Sequence, residues 1–85
     1  MNFYKIRLNE IDHVKKFANR IFSIESNADL ISENKRHCID AKSVMGIFSL
    51  DLTKELTLRI EGNEEQFIKD IKDMGIYIEP VSVEV

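Results

Sequence analysis

The sequence predicts an α+β fold, a two-layer sandwich in which helices cover one face of a mainly antiparallel sheet. Two segments carry apolar residues at helical spacing, and four short segments have the length and composition of strands. The 85 residues fit a single domain, and the one cysteine cannot form an internal disulfide. We therefore expect one hydrophobic core to hold the chain together.

The first strand and the first helix are the clearest elements. Residues 2–8 alternate between two faces, which is the period of a strand. Asn9 stands three residues before Asp12. This spacing is typical of a helix N-cap residue followed by an acid at position N3, whose side chain bonds back to the N-cap. The helix is expected to end near residues 26–27, and its apolar stripe comprises Ile11, Val14, Phe17, Ala18, Ile21 and Ile24.

The middle of the chain predicts two short strands and a short helix. Residues 29–33 and 36–41 are expected to form strands joined by a polar turn. Ser43 is placed to cap the helix that follows, because its hydroxyl could accept the N–H of Met45 or Gly46. Glycine weakens a helix, so Gly46 indicates that this helix is short.

The last predicted strand and helix are separated by a glycine turn. Residues 55–61 alternate cleanly, and residues 62–63, Gly-Asn, interrupt the pattern. Two acids, Glu64 and Glu65, then occupy the first turn of a helix, where the helix dipole favours negative charge. Gly75 is a natural helix stop, and the apolar stripe before it comprises Phe67, Ile68, Ile71 and Met74.

The charge and hydropathy patterns exclude several partners. The formal net charge is −3, which argues against non-specific nucleic-acid binding. No apolar run approaches the roughly 18 residues that a membrane span needs, and the N-terminus does not resemble a secretion signal. The unpaired Cys38 fits a reducing compartment, so we expect a cytoplasmic protein. The bases are concentrated in residues 1–20, which could face an acidic partner.

The residues indicate a binding or carrier protein more than an enzyme. The chain has no paired carboxylates, Gly-rich phosphate loop, metal-ligand cluster or Ser-His-Asp arrangement above chance. We therefore expect no metal and no cofactor. Cys38 lies in a strand-like run and is expected to be an inert thiol.

Residues 40–52, DAKSVMGIFSLDL, together with residues 55–71, ELTLRIEGNEEQFIKDI, resemble HPr, the phosphocarrier protein of the bacterial sugar phosphotransferase system. The shared pattern is Lys-Ser, an apolar residue, Met-Gly, two apolar residues and Ser-Leu, followed by a strand, a glycine turn and an acidic helix start. The resemblance implies an open-faced sandwich with the order β-α-β-β-α-β-α. It extends over the order of elements to about residue 75.

The same resemblance implies that Ser43 is a regulatory phosphorylation site. In many Gram-positive bacteria a dedicated kinase phosphorylates the equivalent serine of HPr. A phosphate at a helix N-terminus is stabilised by free backbone N–H groups and by the helix dipole. The alternative interpretation is that Ser43 only caps the helix and that its apolar neighbours belong to the core.

The resemblance also implies protein partners from the phosphotransferase system, namely the general enzyme, the serine kinase and a transcriptional regulator. A short helix cannot bury all the apolar residues around Ser43, so we expect some of them to form an exposed docking surface. The expected partner-binding residues are Lys15, Lys16, Arg20, Lys42, Met45, Ile47 and Phe48.

The sequence departs from the family at the carrier histidine, which in HPr precedes Ala-Arg-Pro at the start of the first helix. An ungapped alignment places Asp12 in that position, and a single gap would place His13 there. Because His13 is about 100° around the helix from Val14, we expect it on the polar side. We thus predict an atypical HPr-like regulatory protein that binds partners through Ser43. The alternative is a phosphocarrier that accepts phosphate from phosphoenolpyruvate, through the general enzyme, on His13.

Residues 76–85 extend the HPr-like domain of residues 1–75 with a strand-like tail. Tyr77, Val81, Val83 and Val85 lie on one face at strand period, and Pro80 indicates an edge position. We expect this tail to add a fifth strand beside the first one, or to exchange with a second copy and form a homodimer.

Overall fold

The computed structural model describes residues 1–81. Its elements are β1 (Asn2–Ile6), α1 (Ile11–Ile21), β2 (Ala28–Ile31), β3 (Cys38–Asp40), α2 (Val44–Phe48), β4 (Leu56–Ile60), α3 (Glu65–Asp73) and β5 (Ile78–Val81). The five strands form one antiparallel sheet with the order β3-β2-β4-β1-β5. The predicted α+β class, with three helices and an antiparallel sheet, is confirmed.

One hydrophobic core lies between the helices and one face of the sheet. The inward residues of β1, β4 and β2 share this face because their register places them opposite one another, as in the pairs Ile6 with Leu56 and Leu30 with Leu58. The helices contribute Val14, Phe17, Ile21, Phe67, Ile68 and Ile71. The opposite face of the sheet carries no helix in residues 1–81, so the sandwich is open on that side.

The start of α1 differs from its predicted capping. Glu10, and not Asn9, is the N-cap residue, and its side chain makes no capping hydrogen bond. The predicted capping pair of Asn9 and Asp12 is therefore wrong, although Asp12 does lie in the first turn, where the dipole favours an acid.

The end of α1 also differs from the prediction, because the helix stops at Ile21 and not near residues 26–27. The next backbone bonds run from Ser23 to Arg20 and from Ile24 to Ile21, so the chain tightens into a last turn. Ile24 is nevertheless buried, because the loop folds back onto the core. The apolar stripe of the sequence thus extends beyond the end of α1 into the loop that follows.

The predicted tail strand lies where the sequence places it. β5 pairs with β1 in antiparallel register, with Ile6 opposite Ile78 and Phe3 opposite Val81. The prediction of a fifth strand beside the first one is confirmed for residues 78–81. The remaining tail residues, including Val83 and Val85, lie outside the described part of the chain, and exchange with a second copy stays a prediction.

The residues that attach the tail to the core are not the ones that the sequence placed on one face at strand period. Ile76 and Ile78 are each 3% exposed and belong to the core, whereas Tyr77 is exposed on the open side of the sheet. There Tyr77 donates a hydrogen bond to Glu79, and the Arg7 guanidinium lies 5.7 Å from the Tyr77 ring. Burial of two isoleucines therefore makes residues 76–81 an integral part of the domain.

We expect Ile78→Ala to destabilise the protein by about 2–4 kcal/mol, because the substitution removes a buried side chain and leaves a cavity. Chemical denaturation followed by circular dichroism measures this loss. The matched control is Glu79→Gln on the same strand, which keeps a hydrogen-bond acceptor for Tyr77 and should change the stability by less than about 0.5 kcal/mol. Equal stabilities of the two variants would contradict the packing of β5.

The two tyrosines of the chain should both ionise above pH 10. The hydrogen bond to Glu79 raises the pKa of Tyr77, and burial, together with Glu65, raises the pKa of Tyr4. A raised pKa stabilises the folded state below the ordinary value of 10, and this contribution is lost as the pH rises through the folded-state pKa. Titration of tyrosinate absorbance checks the shifts, and Tyr77→Phe should leave a single shifted transition, that of Tyr4.

Candidate functional site

Ser43 lies in the turn that connects the edge strand β3 to α2. Its backbone is extended, with φ −96° and ψ 105°, and its hydroxyl oxygen accepts a hydrogen bond from the Gly46 N–H at 3.2 Å. The turn is fixed by Asp40, whose side chain accepts the Lys42 N–H and whose carbonyl accepts the Ser43 N–H, both at 2.9 Å. The predicted cap is confirmed, and the Ser43 side chain is exposed.

Gly46 allows α2 to approach β3 closely. A Cβ atom at Gly46 would lie 3.3 Å from the Ile39 side chain and 3.2 Å from the Ser43 hydroxyl, closer than ordinary van der Waals contact. One turn of helix therefore rests on the sheet through Gly46 and through Ile47, which is fully buried. The expectation that Ile47 binds a partner is wrong, because in a helix of five residues it is the one side chain that reaches the core.

The remaining apolar residues of α2 face outward. Met45 is 84% exposed, Phe48 is 52% exposed and Val44 is 43% exposed. A groove of about 360 Å³ separates α2 from α1, and it is lined by Val14, Lys15, Ala18, Asn19, Val44 and Phe48. Contiguous exposed apolar side chains of this kind are typical of an interaction site.

Phe22 extends this surface along α1. Lys15, Ala18 and Asn19 line the groove, and Phe22 follows at the next position of the same helix face. Its side chain is 69% exposed. Phe22 does not fall on the apolar stripe that marks the core, so the sequence pattern does not single it out. We refer to the groove residues together with Phe22 and Met45 as the α1–α2 surface.

The four basic residues predicted to bind partners divide into two pairs. Lys15 and Lys16 are exposed, and neither forms an ion pair within residues 1–81. Arg20 forms an ion pair with Asp70 of α3, and the Lys42 ammonium donates to the Ile24 carbonyl at 2.7 Å. Two of the four cations therefore have structural partners, and two are free for an external one.

His13 is less exposed than the helical pattern predicts. Only 18% of its side chain is accessible, and its Nδ1 atom is buried without a hydrogen-bond partner in the described residues. The expectation that His13 lies on the polar side is wrong. His13 precedes Phe17 by four residues, which places it within about 40° of a core side chain. Its Nε2 atom lies 3.5 Å from the Glu10 carboxylate.

Residues 1–81 form neither a metal-ligand cluster nor a membrane-spanning helix. Within this range no three His, Cys, Asp or Glu side chains are arranged to hold a metal ion. None of the helices described is both long enough and apolar enough to cross a lipid bilayer. His37, adjacent to β3, is exposed, and its backbone N–H donates to the Ser32 hydroxyl.

We expect Ser43→Ala to destabilise the protein by about 1 kcal/mol, because the Gly46 N–H loses its acceptor at the helix start. Ser43→Asp, which keeps an oxygen acceptor at the cap, should retain most of the stability. Thermal unfolding of the two variants beside the unmodified protein measures the difference. A destabilisation of equal size in both would show that the hydrogen bond to Gly46 is not what stabilises this turn.

Comparison with known proteins gives no matching family model, no matching curated protein and no matching solved structure. The chain is therefore not placed in a family by similarity. Its function has to be inferred from the exposed serine at the start of α2, from the α1–α2 surface and from the local pattern of residues around them.

Proposed function

We propose that this chain is an atypical HPr-like regulatory protein of a bacterial phosphotransferase system. It acts in the cytoplasm as a phosphoacceptor and protein-binding module, not as a catalyst. The observation that carries this proposal is the juxtaposition at α2 of an exposed serine hydroxyl with the exposed side chains of Val44, Met45 and Phe48. A kinase can reach this hydroxyl, and a partner protein can bind the phosphate and the apolar side chains at the same time.

The surroundings of Ser43 suit a phosphate group. Residues 44–48 contain no charged side chain, so no carboxylate of α2 repels the added negative charge. The first backbone N–H groups of a helix have no partner within the helix, and they can donate to phosphate oxygens. Phosphorylation adds a charge of about −1.5 to −2 at neutral pH. The modification would therefore convert an apolar surface into one with a strong anion at its edge.

The α1–α2 surface fits a protein partner with mixed chemistry. Its apolar side chains can bury area against a partner, and Lys15 and Lys16 can pair with acidic groups. Lys42 lies beside Ser43, but its ammonium is already held by the Ile24 carbonyl. Among the predicted basic contacts, Lys15 and Lys16 are thus the ones that we assign to partner binding.

The resemblance around Ser43 supports the HPr-like assignment, and the architecture is compatible with it. The protein has three helices and an open antiparallel sheet, and an HPr-like sandwich is one α+β arrangement of this kind. The resemblance is specific at residues 42–50, where serine, Met-Gly and Ser-Leu stand at fixed offsets. The N-cap geometry of Ser43 adds a physical reason for a serine at that position.

The geometry of His13 does not favour the alternative, a phosphocarrier. The buried Nδ1 atom cannot reach a phosphoryl donor without movement of the helix or the side chain. The Nε2 atom lies 3.5 Å from the Glu10 carboxylate, which would repel an incoming phosphoryl group. The histidine also lacks a neighbouring Arg-Pro pair, because Val14 and Lys15 follow it.

The decisive experiment supplies two phosphoryl donors to the purified protein. HPr serine kinase with ATP should produce an acid-stable phosphate on Ser43, identified by mass spectrometry, and Ser43→Ala should abolish it. Ser49→Ala is the matched control, because Ser49 is an exposed serine at the other end of α2 and should not alter the labelling. General enzyme with phosphoenolpyruvate should give no label on His13.

Two results would contradict the proposal. The first is an acid-labile label that disappears in His13→Ala, which would identify a carrier. The second is the absence of any phosphate on Ser43 after incubation with the kinase and in protein isolated from its native host. For partner binding, Lys15→Ala should weaken binding of the serine kinase, whereas Lys72→Ala, an exposed lysine in the last turn of α3, should not.

A further inference from the structure

The open face of the sheet carries a second concave surface, distinct from the α1–α2 surface. A groove of about 580 Å³ is lined by Phe3, Ile31, Lys35, Cys38, Thr57, Arg59 and Val81. This volume falls within the range of about 300–1,000 Å³ that is typical of small-molecule sites. We call it the sheet groove, and the proposed regulatory function does not use it.

The floor of the sheet groove is built by strand register. Phe3 of β1 lies opposite Val81 of β5, and Ile31 of β2 lies opposite Cys38 of β3. The central strand β4 contributes Thr57 between these two apolar pairs. Phe3, Ile31 and Val81 are partly buried even though no helix in residues 1–81 covers this side. The groove therefore offers apolar contacts on both sides of a polar centre.

The charges that line the sheet groove are positive. The sequence has 15 acidic residues, yet none of the lining residues is acidic. The Arg59 guanidinium is held by Asp29, with its Nε atom 3.0 Å from the carboxylate. Lys35 forms no ion pair within residues 1–81. One uncompensated cation thus stands beside the apolar floor.

The backbone holds Lys35 at this position. It lies in the turn between β2 and β3 with φ 62°, and its N–H donates to the Ser32 carbonyl at 2.9 Å. The Ser32 hydroxyl in turn donates to the Asn34 side chain at 2.6 Å and accepts the His37 N–H at 3.1 Å. The turn that carries the cation is therefore fixed by hydrogen bonds at its base.

We propose that the sheet groove binds a small amphipathic anion, a free carboxylic acid with an aliphatic body, as medium-chain fatty acids have. The carboxylate pairs with the Lys35 ammonium, and the aliphatic body lies along Phe3, Ile31 and Val81. A cationic amphiphile could make the same apolar contacts, but its positive headgroup would be repelled by the Lys35 ammonium.

The experiment uses Cys38 as a reporter, because it is exposed, it lines the groove and it is the only cysteine in the chain. The rate of its alkylation by neutral iodoacetamide is measured with decanoate below the concentration at which micelles form. We expect saturating decanoate to slow alkylation about tenfold or more, and decyltrimethylammonium at the same concentration to leave the rate unchanged. Amide chemical-shift changes should be confined to the groove-lining residues of the five strands and to the turn around Lys35.

Lys35→Gln should raise the decanoate concentration needed for half-protection about tenfold, because the charge-assisted contact is lost. Lys69→Gln, an exposed lysine of α3 on the helix-covered side of the sheet, should not change it. Three results would overturn the proposal. They are equal protection in Lys35→Gln, shift changes confined to the α1–α2 surface, and alkylation that slows with protein concentration in the absence of decanoate. The last result would show that a second copy covers the face.

Discussion

The packing of α1 and α3 against one face of the sheet is the constraint on which the rest of the structure depends. Phe17 and Phe67 meet edge to face in this layer, with ring centroids 6.0 Å apart and planes at 69°. The core has no disulfide to assist it, because the chain has a single cysteine. Apart from Ile11 at the start of α1, which is 67% exposed, the large apolar side chains of these two helices are therefore packed in the interior and are not available to a partner.

This commitment explains why the candidate regulatory surface forms around α2. A helix of five residues can turn only one large side chain into the core, and Ile47 takes that role. Met45 and Phe48 are consequently exposed, although the sequence around them is as apolar as a core segment. Gly46 makes this arrangement possible, because its missing side chain lets α2 rest directly on Ile39. Met45 and Phe48 are thus exposed because the helix is short, and not because their side chains are polar.

The edge strand β3 separates the two candidate surfaces of the molecule. Ile39 contacts the region of Gly46 beneath α2, whereas its neighbour Cys38 lies on the open face and lines the sheet groove. Successive side chains of a strand point to opposite faces, so one residue step moves from the regulatory side to the groove side. A phosphoserine partner and a small anion would therefore approach from opposite sides, and each surface can be tested without altering the other.

The sequence by itself determined the elements whose residues repeat with a clear period. The α1 and α3 stripes, the alternation of β4 and the serine cap of α2 are local patterns, and the structure contains each of them. The sequence also indicated Ser43 and the apolar residues around it as a candidate site. Local chemistry is sufficient for these features, because a cap or a stripe depends on residues within one or two turns.

Only the tertiary structure decided which candidate residues are available. Ile47 is buried, Arg20 and Lys42 have structural partners, and His13 is mostly covered, although each of them was a site candidate from its residue type. The sheet groove likewise joins residues from five strands that are far apart in the chain. Burial and pairing depend on these long-range contacts, and the period of a single segment carries no information about them.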